Sequence, residues 1–202
     1  KREGLMYLYR TQVGVKAIEY TSKKYSKILK PLQYLVILSG FILMISMIYL
    51  LFTTLLIYLQ QPADSVISKV PAVFPLIPYF PQMFGLESIF PPFYFTYFLI
   101  SIAVIAISHE FAHGIFARLN NVKIHSTGFA FLGPFLGAFV EQDDKQMNKA
   151  SKFAQLSILA AGTFANVLTS IFFFFILWGF FSTSFTASGV VFDTYPYSIA
   201  NL

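Results

Sequence analysis

From Leu32 to Leu59 the chain carries no Asp, Glu, Lys, Arg or His, and only Gln33 and scattered Ser, Thr, Gly and Tyr interrupt an apolar run. At ~1.5 Å per residue, a helix of that length exceeds the roughly 30 Å hydrocarbon layer of a bilayer. The run predicts a transmembrane helix over residues 31–60. Composition agrees: the chain is 56% hydrophobic and only 11% charged, against about 25% charged in a soluble globular protein. A soluble domain and a disordered chain are both excluded. Cysteine is absent, so a metal would have to be held by His, Asp or Glu.

Two further apolar stretches follow. Residues 93–119 read as a second span and residues 153–181 as a third, small-residue rich at first and aromatic afterwards. Between the first two spans, residues 61–92 hold seven prolines, which rule out a continuous helix and predict an irregular extracytoplasmic loop. Residues 120–152 read as a cytoplasmic or re-entrant loop, and residues 182–202 as the strand-like start of another extracytoplasmic unit. The expected fold is therefore an all-α polytopic membrane protein with three spans in this chain.

Charge gives the orientation. Residues 1–30 hold eight of the 14 Lys and Arg. Next to an apolar span, such a run reads as a basic juxtamembrane arm at an anionic lipid surface, not as a nucleic-acid patch. The loop 61–92 has only Lys69, whereas Arg118, Lys123, Lys145, Lys149 and Lys152 follow the second span. Positive charge favours the cytoplasm, so the N-terminus is expected inside and residues 182–202 outside.

The chemistry is concentrated in His109-Glu110-Phe111-Ala112-His113. On a helix, residues four apart share a face, so both imidazoles can reach one metal while Glu110 handles a proton. This is the HExxH pattern, with two His ligands for zinc and a general base. Its place within an apolar span adds weight, because ionisable groups there are costly and usually functional. His125 lies twelve residues past His113 and reads as a loop residue. Asp143 and Asp144 sit in a charged loop, and Asp193 is expected across the membrane. A third protein ligand is expected outside these 202 residues. The same triad would also suit a membrane metal carrier or an inactive scaffold.

These residues resemble the site-2 proteases, the intramembrane zinc metalloproteases. Beyond the pentad, Ser126-Thr127-Gly128 through Gly133-Pro134 and Gly137-Ala138-Phe139-Val140-Glu141 are similar to a family segment that re-enters the membrane as a β-hairpin. Ala161-Gly162-Thr163-Phe164-Ala165-Asn166 is similar to the family's A-G-P-x-x-N, with Thr163 in place of Pro. Gly189-Val190-Val191 and Tyr195 to Leu202 resemble the opening of an inserted PDZ domain. The resemblance implies zinc on His109 and His113, Glu110 as catalytic acid/base, and an Asp ligand on a later span. The chain is then expected to be part of a longer protein. It also implies substrates with transmembrane segments. An unwound segment could add to the strand at 128–141. Asn166 is a candidate substrate-binding residue, and Gly162 reads as a packing residue.

Overall fold

The computed structural model describes residues 2–3, 6–60, 94–132 and 135–186. The proline-rich segment 61–92 and the PDZ-like stretch from 187 onward lie outside the described residues. The elements run β1 (Arg2–Glu3), β2 (Met6–Thr11), α1 (Val13–Lys24), α2 (Ser26–Gln60), α3 (Phe95–Leu119), β3 (Ile124–Leu132), β4 (Phe135–Gln142), α4 (Asp144–Lys149) and α5 (Lys152–Ser184). Among the described residues, α2, α3 and α5 are long and apolar enough to cross a membrane. The protein is thus an integral multi-pass membrane protein.

It is not purely helical. Four antiparallel strands form one sheet in the order β1-β2-β3-β4. The β3–β4 hairpin falls where the glycine-rich half of the 120–152 loop was expected to re-enter the membrane. Along it Thr127 faces Val140 and Phe129 faces Ala138, with a one-residue irregularity at His125 between Ile124 and Ser126.

The larger departure is at the N-terminus. Residues 1–30, expected as a basic juxtamembrane arm, supply β2, α1 and the start of α2. Strand β2 pairs with the outer edge of β3 from Tyr7↔Phe131 to Thr11↔Thr127. Helix α1 is amphipathic: Val15, Ile18 and Ser22 are buried along one face, while Lys16, Lys23 and Lys24 are exposed. The basic residues therefore decorate a packed helix. Ile18 is fully buried against Gly114 of α3, where a Cβ would overlap the Ile18 side chain. Glu19 and Arg118 form an ion pair at 2.8 Å that holds the same two helices together at their exposed rim.

A second contact region joins α2, α3 and α5. Val36, Phe116, Ala117, Val122, Ile158 and Ala161 form its buried apolar centre. Buried beside them, Ser157 Oγ donates to Gln33 Oε1 (3.0 Å), and Asn120 Nδ2 donates to the same oxygen (2.9 Å). Polar side chains shared between spans satisfy one another where water cannot. Further along, a Cβ on Gly40 would lie 2.8 Å from the Ala160 Cβ, so α2 and α5 touch through their smallest residues. A second compact unit begins at Ser170. Its described part is the end of α5, where Phe172 to Phe175 and Trp178 are exposed, as side chains facing acyl chains would be.

The β2–β3 ladder passes over Gly128, where a Cβ would collide with the backbone oxygen of Tyr9. Backbone cannot step aside as a side chain can. Gly128→Val is expected to cost about 1–3 kcal/mol, as overpacking does, and to detach residues 6–24 from the hairpin. Limited proteolysis in detergent checks this: N-terminal cleavage should accelerate in the variant.

Candidate metal centre

Helix α3 presents His109 and His113 one turn apart, and α5 faces them with Ile158, Gly162 and Asn166, also four apart. Two stripes with the same helical spacing thus oppose each other. His113 Nδ1 lies 2.6 Å from the Ile158 carbonyl oxygen, so this nitrogen carries a proton and donates. That bond fixes the tautomer and leaves Nε2 as the free lone pair. The two Nε2 atoms are 3.0 Å apart, close to the roughly 3.3 Å separation of two nitrogens bound tetrahedrally to one zinc at about 2.0–2.1 Å.

Gly162 lies directly against that pair. A Cβ there would meet His109 Nε2 and His113 Nε2 together, at separations nearer a coordinate bond than a van der Waals contact. The missing side chain leaves a small space bounded by two imidazole nitrogens, where a metal ion would fit. Glu110 completes the set: the ligating atoms of His109, Glu110 and His113 all lie within 4.8 Å of one another. It is the only group of its kind among the described residues.

Glu110 is half-buried and accepts a hydrogen bond from the Val140 backbone N–H at 3.2 Å. A charge-assisted bond of this kind offsets part of the cost of a carboxylate among apolar side chains. It also reveals how β4 is turned. Pairs along an antiparallel ladder alternate between exchanging and not exchanging hydrogen bonds. Since Val140 N–H points at α3, the backbone groups of Ala138 face that way too. The sheet ends at β4, so its outer edge lies towards the His109–His113 pair.

Asn166 Nδ2 is 3.1 Å from His109 Nδ1. Its Oδ1 is buried without a hydrogen-bond partner among the described residues. His125 belongs elsewhere: its Nε2 faces Asp143 Oδ2 at 3.4 Å, and its carbonyl accepts from Gln12 Nε2. Asp143 caps α4 by accepting the Gln146 N–H. That bond, with His125 nearby, holds the carboxyl below its ordinary pKa. The resulting stabilisation is present above the unfolded-state value and is lost as pH falls through the folded one. Asp144 lies in the first turn of α4. The Ile158 carbonyl, the Val140 N–H and the void at Gly162 carry no sequence signal of their own; the run Ala160-Ala161-Gly162 was the only hint of a close approach.

The chain thus bears a His-Glu-x-x-His triad on a membrane-spanning helix, with a β-hairpin on one side and a small-residue helix on the other. The chain belongs to Peptidase family M50, the site-2 protease family, which it matches over residues 97–199. It is also 33% identical over 174 residues to a protein of Methanocaldococcus jannaschii described as uncharacterized. That alignment covers 82% of this chain and 41% of the relative, so the chain spans about two fifths of the relative's length. No solved structure matches it.

Gly162→Ala places a methyl group in the space between the two imidazoles. Zinc retained after dialysis, measured by elemental analysis, should fall at least tenfold while the helical circular dichroism is unchanged.

Proposed function

We propose that this chain carries the zinc-binding half of an intramembrane endopeptidase that hydrolyses peptide bonds in the transmembrane segments of other proteins. The observation that carries the reading is the pair of Nε2 atoms facing the empty Cβ position of Gly162. His109 and His113 would hold the ion, with a third ligand from outside the described residues. Bound there, zinc supplies a water of lowered pKa and polarises the scissile carbonyl.

Glu110 then takes the proton of the attacking water on a carboxylate oxygen and passes it to the departing amine nitrogen. The Val140 N–H keeps that carboxylate facing the site until the proton arrives. Asn166 acts on His109: a ligand bound through Nε2 keeps its proton on Nδ1, which needs an acceptor. A half-turn of the Asn166 amide offers Oδ1 to that proton, and a substrate carbonyl would reach Nδ2 only where binding opens the space around it. The orphaned Oδ1 supports this arrangement.

A helical substrate hides its carbonyls in its own hydrogen bonds and must unwind before any can be attacked. The sequence pointed to the stretch 128–141 as the receiving strand. Because β2 occupies the outer edge of β3, the outer edge of β4, whose Val140 N–H is held by Glu110, is the one left for this role among the described residues. His109 stands ten residues before the end of α3, roughly 15 Å along the axis, which favours a catalytic depth below the headgroups. The basic faces of α1 and of the 118–152 region favour placing that end of the molecule in the cytoplasm.

In the full-length protein, Glu110→Gln is expected to lower cleavage of a transmembrane peptide in detergent by at least 10²-fold while zinc content is kept. Wild-type rates would refute the reading. Asn166→Ala should weaken zinc binding about 10–100-fold, with Asn166→Asp restoring most of it. A competition titration against a chelator reads both.

A further inference from the structure

Beside Glu110 lies a cavity of about 310 Å³. That is at the small end of the roughly 300–1,000 Å³ range of ligand pockets, too small for a helix and ample for a large side chain. Ile107 and Phe111 of α3 line one wall and Phe139 of β4 another, and among these apolar groups stands the Glu110 carboxylate. Thr127, Gly128 and Phe129 of β3 form part of the floor, and the remaining wall comes from the N-terminal unit: Thr11 of β2 with Val13, Gly14 and Ile18 of α1. The residues of that unit lie outside the stretch matched by the family, 97–199.

That wall is held firmly. A Cβ on Gly14 would overlap the Thr127 hydroxyl, so α1 begins in direct contact with β3. Ile18 fills the notch at Gly114, and β2 anchors the unit to the sheet by five residue pairs. Ala138 and Val140 of β4, the marginal strand of the sheet, line the same cavity. A peptide added along the outer edge of β4 would direct every second side chain to one face. The cavity therefore meets the side chain of a residue held next to Glu110.

We infer that this cavity is a specificity pocket for an apolar side chain, of Leu or Phe size, flanking the scissile bond of the substrate, and that the N-terminal unit sets its dimensions. The inference rests on the proteolytic reading above. Repulsion from Glu110 excludes an acidic occupant, and a basic one would engage the carboxylate that must stay free to take a proton.

The test uses the full-length protein and a set of transmembrane peptides that differ at one residue flanking the cleavage site: Ala, Leu, Phe, Asp or Lys. The wild type should prefer Leu or Phe over Ala, Asp and Lys by at least tenfold in kcat/KM. Val13 is 75% exposed, so Val13→Trp is tolerated by the fold and narrows the pocket from its rim. The Phe-to-Ala ratio should fall at least fivefold. Ile18→Ala should shift preference towards Trp; if that variant does not fold, the Val13 result stands alone. A measurement independent of turnover uses Val13→Cys with Glu110→Gln in a cysteine-free background. Under mild oxidation, peptides bearing Cys at successive positions should crosslink at one position, not evenly. No cleavage of any peptide by the wild type overturns the protease reading. Cleavage with a ratio that Val13→Trp leaves unmoved, or crosslinks spread along the peptide, overturns the pocket alone.

Discussion

Three polar side chains within one turn of an apolar helix are tolerable only if each finds a partner inside the protein, because lipid offers none. The architecture around α3 follows from that requirement. The Ile158 carbonyl takes the His113 proton, the Val140 N–H meets Glu110, and Asn166 reaches His109. Two of the three partners are backbone groups, so they come from elements whose position matters more than their side chains. A hairpin must lie on one side of α3 and a helix of small residues on the other. The helix must approach closely enough that glycine is the tolerated residue at Gly162.

The second requirement is closure of the sheet. An isolated hairpin would leave β3 with a row of unpaired backbone groups, which is costly near lipid and prone to pair with other chains. Strand β2 covers that edge, and the bond from Gln12 to the His125 carbonyl satisfies one more acceptor at its end. Only the β4 edge beside α3 is left at the margin of the sheet. The arrangement covers one edge of the hairpin and leaves the other beside α3, and the same N-terminal unit that covers the first walls the cavity beside Glu110.

Much of this was legible in the residues. Three spans announce themselves by hydropathy, because twenty or more apolar side chains have few alternatives to lipid. The pentad is legible because helical spacing alone brings His109 and His113 onto one face. The N-terminal unit was not. Tyr7 and Tyr9 alternate as in a strand, and Val15, Ile18 and Ser22 recur at helical spacing, yet the Lys and Arg among them read as a basic arm at the lipid surface. What decides the matter is the pairing of Thr11 with Thr127, a contact between residues 116 positions apart that no local pattern encodes. Helix α2 likewise begins at Ser26, ahead of the apolar run, because Lys27 and Lys30 extend the helix with their charges turned outward. Backbone partners of the site were invisible for a different reason: a carbonyl or an N–H is common to almost every residue.

The distance in sequence between β2 and β3 has a consequence for biogenesis. Strand β2 leaves the ribosome first, but its partner is made only after α2 and α3 have been synthesised. Until then β2 has nothing to pair with, and contacts of such long range form slowly. The nascent protein therefore inserts its first two spans with the pentad still unroofed. Pairing of β2 with β3 joins residues 116 positions apart, so the wall that α1 gives the cavity beside Glu110 is added only after the pentad has been made.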